Sequence, residues 1–218
     1  MRIFNIPEVD STNLEARRLL CAGKADYGDL ILAETQRAGR GRGTHLWCSP
    51  AGGVYASLIV PKATPAKITI TAGVAVAEVL SAEIKWINDI LLNNKKICGI
   101  LAETCGNAAI LGFGVNVNTK KFPDEISKTA TSLFIETGNT FDIFKIATDI
   151  SEKFLLLQQE DFSFIIEKYR KKCVTLGTTV NIRSGTKNIS GIAEEIDSLG
   201  CLVIRKNNQE TETIMMPF

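Results

Sequence analysis

The spacing of apolar residues changes several times along the chain, and each change marks an element. Residues 12–22 read as a helix, with Thr12 and Glu15 as a capping box and Gly23 as its end. Leu30-Ile31-Leu32-Ala33 is a short run with strand character, and Val54 to Val60 is a second, closed by Pro61. Between them lies a loop from Gly39 to Gly53, rich in glycine and arginine. Ile68 to Leu80 is apolar and rich in small residues, among them Ala72, Gly73, Ala75 and Ala77, which suits a helix packed closely on a sheet. Ile84-Lys85-Trp86 opens a run of short strands that ends with Ala109 to Val117, with turn signals at Asn93-Asn94 and Gly106-Asn107. Phe141 to Leu157 and Phe162 to Lys171 return to helical spacing.

After Cys173 the texture changes. Short β-rich pieces, Thr179 to Ile182 and Cys201 to Ile204, are separated by Gly185, Gly191 and Gly200. This pattern predicts a small antiparallel barrel appended to an α/β body. The expected division is a first domain over residues 1–172 and a second over residues 173–218.

Composition narrows the class. A chain of 218 residues buries roughly 70% of its unfolded surface and needs no staples to fold. The formal net charge of +1 argues against broad binding to DNA, RNA or an anionic membrane, so phosphate chemistry has to rest on locally placed cations. The six cysteines include no C-x-x-C pair and the only histidine is His45, which disfavours a structural zinc site. Cysteines scattered through apolar runs fit buried free thiols and a cytoplasmic location. Neither a signal-peptide core nor an apolar stretch long enough to span a bilayer is present in the sequence.

Four segments carry candidate chemistry. In Gly39-Arg40-Gly41-Arg42-Gly43, glycines let the backbone approach a ligand and the arginines offer forks of donors matched to phosphate oxygens. Taken alone, it also fits a flexible surface loop or a nucleic-acid-binding arm. Lys85-Trp86-Ile87-Asn88-Asp89, followed by Lys95-Lys96-Ile97-Cys98-Gly99-Ile100-Leu101, places a lysine among apolar neighbours, which hints at an anionic partner. A lysine reaching solvent explains it equally. Gly112-Phe113-Gly114-Val115-Asn116 imitates a dinucleotide fingerprint but lacks its third glycine and a following helix start. Asp10-Ser11-Thr12-Asn13 sits at a helix start, where capping alone accounts for Thr12 and a gripped polar ligand is the alternative.

In combination these segments resemble the biotin–protein ligase family, the biotin–[acetyl-CoA-carboxylase] ligases. The matching positions are Asp10 to Asn13, Ala33 to Arg42 with Trp47, Lys85-Trp86 with Asn88-Asp89, Gly99 to Leu101, and Gly112 to Asn116. Leu176-Gly177 through Gly191 to Leu202-Val203 resembles the family's C-terminal domain. The match starts almost at residue 1, which leads us to expect the short type without an N-terminal DNA-binding domain.

The resemblance implies an α+β fold: a mixed β-sheet flanked by helices, like class II aminoacyl-tRNA synthetases, with a small SH3-like β-barrel. It implies ATP-dependent activation of biotin to biotinyl-5'-adenylate, with Mg2+ accompanying ATP, and transfer of biotin to one lysine of a biotin carboxyl carrier protein. It implies no DNA partner and leaves a homodimer open. Lys85 and Arg42 are the implied catalytic residues. Biotin would be held by Ser11, Thr12, Asn13, Gln36, Gly39, Arg40, Gly41, Arg42, Lys85, Gly99 and Gly112. ATP would be held by Arg40, Arg42, Trp47, Lys85, Asn116, Thr131 and Ser132, and no metal ligand is assignable from the sequence.

Two positions depart from the family pattern. Ile87 stands where the family often has proline, and Gly43-Thr44-His45-Leu46 stands where many members continue arginine-glycine-arginine. Two other readings compete: a lipoate or octanoate ligase of the same fold, and a non-catalytic nucleic-acid-binding regulatory module. The polar set Ser11, Thr12 and Gln36 suits the donors and acceptor of a ureido ring, which lipoate lacks.

Overall fold

The computed structural model describes residues 1–184 and 187–215. Seven strands form one sheet: β1 (Ile3–Val9), β2 (Leu30–Gln36), β3 (Val54–Pro61), β4 (Glu83–Lys85), β5 (Asp89–Leu92), β6 (Lys95–Cys105) and β7 (Ala108–Val115). Their spatial order is β1-β2-β3-β7-β6-β5-β4. β1 and β2 are parallel, joined across helix α1 (Thr12–Cys21), and every other neighbouring pair is antiparallel. The sheet is therefore mixed, as expected.

Helices cover both faces. On one face α1 sets Ala16 among Ile31, Ile59 and Ile110. On the other lies α2 (Pro65–Val79), which packs against α4 (Ile143–Leu157) and α5 (Phe162–Lys172). The first seven residues of β3 are consequently all buried. Every residue of α2 from Ile68 to Ala77 is buried as well. A helix between a sheet and two other helices has no polar face to keep, and its sequence has none. Gly73 lets the ring of Tyr169 approach α2, since a Cβ there would lie 3.2 Å from Cε2. The Tyr169 hydroxyl then donates to the Ile87 carbonyl at 3.0 Å, tying α5 to the segment between β4 and β5.

The second sheet is four-stranded and antiparallel, with β8 (Thr179–Ser184), β9 (Lys187–Ile196), β10 (Leu202–Arg205) and β11 (Thr211–Ile214) in sequential order. Its buried residues Ile189, Ala193, Ile196, Leu202, Ile204 and Ile214 belong to the same apolar cluster as the core beneath α2. Polar contacts reinforce that packing. Trp86 donates its indole N–H to the Gly200 carbonyl at 3.1 Å and its backbone N–H to Thr175 Oγ1 at 2.8 Å.

Several local expectations need correction. The Thr12 hydroxyl does not cap α1: Ser11 is the N-cap residue and supplies no side-chain cap. Tertiary partners outcompete the local bond, as described below. Helix α2 begins at Pro65, with Thr64 accepting from Lys67 N at 3.2 Å, three residues before the apolar run. Gly191 lies inside β9 rather than between strands, where its missing Cβ leaves room for the Arg205 backbone. Gly185 lies outside the described residues. The strand β1 and the short helix α3 (Leu133–Thr137) were not anticipated.

Candidate active site

The site is built where α1 meets β2, β3 and β6. Ser11, Thr12 and Asn13 are all buried at the start of α1, and Ser57 of β3 is wholly buried beneath them. Ser57 Oγ lies 2.6 Å from Asn13 Oδ1 and 2.8 Å from Thr12 Oγ1. A hydroxyl has one proton and an amide oxygen can only accept, so Ser57 donates to Asn13. Gln36 Oε1 accepts from Thr12 N at 2.8 Å and faces the Thr12 hydroxyl at 3.2 Å. Gln36 Nε2 donates to Ser49 Oγ at 2.9 Å, and Ser49 donates to the Trp47 carbonyl at 3.1 Å. Asn13 Nδ2 donates to Glu103 Oε2 at 2.8 Å. Buried polar groups left unpaired cost roughly 1–3 kcal/mol each, and these side chains satisfy one another.

The arginine loop folds over this cluster as a tight hairpin. Gly41 N donates to the His45 carbonyl at 2.8 Å and His45 N donates to the Arg42 carbonyl at 3.1 Å. Arg40 and Leu46 form an antiparallel bridge, and Trp47 N returns to the Gly39 carbonyl at 2.8 Å. Gly43 turns the tip with φ of +59°, a conformation that side chains disfavour. The departure at Gly43 to Leu46 is thus the hairpin tip and its return arm. Both arginines rest on the sheet: Arg40 Nη1 is 3.3 Å from Glu103 Oε1, and Arg42 Nη1 donates to Asn88 Oδ1 at 3.0 Å.

Two cavities open on either side of Trp47. The first, about 700 Å3, is lined by Ser11, Thr12, Asn13 and the loop, with Gly99, Gly112 and Gly114 as floor. The second, about 740 Å3, is bordered by Asn116, Ile126 and Ala130. They share five residues: Gln36, Leu46, Trp47, Asp89 and Lys96. Lys96 Nζ lies 2.6 Å from Asp89 Oδ1 and 5.5 Å from the centre of the Trp47 ring. The glycines of the floor serve by their size. A Cβ on Gly112 would collide with the Asn13 amide, and one on Gly114 or Gly99 would strike the Trp47 indole. The buried Trp47 Nε1 has no hydrogen-bond partner among the described residues.

The expected site residues distribute unevenly over this geometry. Ser11, Thr12, Asn13, Gln36, Arg40, Gly41, Arg42, Trp47, Gly99 and Gly112 come together around the first cavity. Gly39, Lys85 and Asn116 line only the second. Lys85 is exposed on the edge strand β4, so Lys96 occupies the junction where the sequence analysis expected Lys85. Thr131 and Ser132 line neither cavity: both are fully buried behind Ala130. The Thr131 carbonyl accepts from Asn116 Nδ2 at 3.0 Å, and Ser132 caps α3. Sequence reasoning missed Ser57, Glu103, Asp89 and Lys96 as site residues. Asp89 and Lys96 lie in segments that the sequence singles out for chemistry, but Lys85, between Ile84 and Trp86, carries the stronger signal of a lysine among apolar neighbours.

No three His, Cys, Asp or Glu side chains gather into a metal-ligating group among the described residues. No helix there is long and apolar enough to cross a membrane.

Two cavities that meet at Lys96, under a hairpin carrying Arg40 and Arg42, make a site with local positive charge suited to anionic ligands. The comparisons specify the family. The Biotin/lipoate A/B protein ligase family model matches residues 7–119, and the Biotin protein ligase C terminal domain matches residues 175–216. This chain belongs to the biotin/lipoate A/B protein ligase family. It is 31% identical over 224 residues to a biotin–[acetyl-CoA-carboxylase] ligase of Paracoccus denitrificans, covering 92% of each chain. It is 32% identical over 222 residues to the bifunctional ligase/repressor BirA of Bacillus subtilis (strain 168), covering 92% of this chain and 68% of that protein. The fold matches the biotin protein ligase from Aquifex aeolicus in complex with biotin and ATP, with TM-score 0.87, 28% identity, and coverage of 99% and 96%.

Proposed function

We propose that this chain is a biotin–[acetyl-CoA-carboxylase] ligase. It activates biotin with ATP and transfers the biotinyl group to a lysine of a biotin carboxyl carrier domain. The observation that carries the reading is the pair of cavities meeting at Lys96. One cavity is lined by the hydroxyls and amides of Ser11, Thr12, Asn13 and Gln36, a set suited to the ureido ring of biotin. The other has room for the nucleotide, with Trp47 between them.

The chemistry follows from this placement. A biotin carboxylate oxygen attacks the α-phosphorus of ATP, the bond to the β-phosphate bridging oxygen breaks, and pyrophosphate leaves. Two anions have to meet, and Lys96 with Arg40 and Arg42 supplies the positive charge that offsets their repulsion. Magnesium would enter as part of the Mg–ATP substrate and share in neutralising the phosphate charge. In the second step the carrier lysine's neutral amine attacks the acyl carbon, an amide forms, and AMP departs with the bonding pair. The hairpin of Arg40 to Leu46 lines the first cavity, where it would shield the mixed anhydride from water.

We assign the catalytic unit to residues 1–172 and the smaller unit to residues 173–218, consistent with the ranges of the two family matches. The six free cysteines support a reducing, cytoplasmic setting. Ligand-dependent exchange of label between pyrophosphate and ATP tests the reading. Exchange with biotin is the expected result, and exchange with lipoate alone would assign the chain to the other branch of its family.

A further inference from the structure

We propose that Glu103 is a positioning residue that couples the polar end of the first cavity to the arginine loop and sets how firmly the loop closes over its ligand. The inference rests on the biotin-ligase reading and concerns a residue that neither chemical step requires.

The two carboxylate oxygens of Glu103 serve different elements. Oε2 accepts from Asn13 Nδ2 at 2.8 Å, and Oε1 lies 3.3 Å from Arg40 Nη1. Asn13 is buried and held from its other side by Ser57, whereas Arg40 is carried by a surface hairpin and is 40% exposed. Glu103 therefore joins a buried group to an exposed one. The connection continues on both sides. From Asn13 it passes to Ser57, the Thr12 hydroxyl, then through the Thr12 backbone N–H to Gln36 and Ser49, and reaches the Trp47 carbonyl. Arg40 and Trp47 are the two ends of the same hairpin, so the hydrogen-bonded path leaves the loop at one arm and returns at the other. Glu103 is the only carboxylate in that path and Arg40 the only cation.

The coupling is reciprocal: a ligand that settles against Asn13 biases where the Arg40 guanidinium rests, and the position of Arg40 biases the ligand site in return. The exposed half of the link is a weak pair on the scale of surface ion pairs, so it opens and closes readily without cost to the fold.

The variant that separates the two contacts is Glu103→Gln. Its amide oxygen still accepts from Asn13, while its NH2 group presents donors to the guanidinium and loses it. We expect trypsin cleavage after Arg42 to accelerate about fivefold, and biotinyl-adenylate to leave the enzyme about fivefold faster. The melting temperature stays near the parent value. In an Arg40→Ala background the same substitution has no further effect on either rate. Parent-like cleavage and release in Glu103→Gln, or an equal effect with and without Arg40, would overturn the coupling. Glu103→Asp, one methylene shorter, gives the same two readouts if the glutamine variant does not fold. Should the unaltered enzyme make no adenylate, the ligase reading fails, and the trypsin measurement still decides whether Glu103 holds the loop.

Discussion

Lys96 faces Asp89 across the β5–β6 pair, Nζ to Oδ1 at 2.6 Å, at the seam between the two cavities. The carboxylate aims the ammonium, and the Trp47 ring on its other side confines it. A carboxylate and a phosphate brought to this seam meet Lys96 before any other lysine. Lys96→Ala should therefore reduce biotin-dependent pyrophosphate exchange on the order of a hundredfold or more. Lys85→Ala, on the exposed edge strand, should lower it by less than about tenfold. Steady-state exchange on both variants checks this, and the reverse ranking would return the central role to Lys85.

The contrast between these lysines shows what the sequence could and could not reveal. Lys85 ends β4 between Ile84 and Trp86, in a segment that resembles the family, whereas Lys96 lies near the start of β6 between Lys95 and Ile97, outside the matching positions. Only the strand register, with Asp89 opposite Gly99 and an irregularity between Ile90 and Leu91, turns Lys96 toward the cavities. The α2 helix was legible because Ile68 to Ala77 is apolar apart from Thr69 and Thr71, whereas the edge strand β1 alternates too irregularly to announce itself. The arginine loop stood out by composition. Glu103 did not, because its partner Asn13 is 90 residues away and nothing local marks the pair. Thr12 misled in the other direction: it satisfies a capping pattern, but its hydroxyl pairs with Ser57 and its backbone N–H donates to Gln36.

The glycine floor predicts a binding defect without loss of fold. Gly112→Ala would set a methyl group into the Asn13 amide and displace it from Ser57 and Glu103. Such crowding costs roughly 1–3 kcal/mol, which would correspond to a rise of about 5- to 150-fold in the Kd for biotin if it falls wholly on binding. Calorimetric titration with biotin measures it directly. An unchanged Kd would place the ligand elsewhere.

Stability should show an acid limb from Asp29. Burial alone would raise the pKa of this carboxyl. Its bonds from Arg2 and from the backbone N–H groups of Asp26 and Arg2 more than reverse that, and hold it below the ordinary value. A folded-state pKa below the unfolded one gives stability that is complete above about pH 4 and is lost as pH falls through the folded value. Asp29→Asn should destabilise the protein by about 1–3 kcal/mol at pH 7, and the difference should shrink below about pH 4. Urea melts at the two pH values test the sign. A difference that grew on acidification would contradict it.

Cysteine reactivity offers a footprint of the second cavity. Cys21 and Cys48 are exposed, while Cys98 is buried and its thiol pushed up by loss of solvation. Iodoacetamide should modify Cys21 and Cys48 and spare Cys98. Cys48 borders the nucleotide cavity, so Mg–ATP with biotin should protect it and leave Cys21 reactive. Peptide mass spectrometry reads each site, and protection of Cys21 instead would argue against the assignment of the cavities.

The central claim is that biotin, activated at the Lys96 seam, is handed to a carrier lysine. Labelled biotin incubated with the purified chain, Mg–ATP and a biotin carboxyl carrier domain tests it most directly. The account predicts one label per carrier, fixed as an amide on a single lysine, with AMP and pyrophosphate released in equal amounts. A carrier that stays unlabelled while the chain binds ATP and biotin, or one that accepts only lipoate, would contradict it.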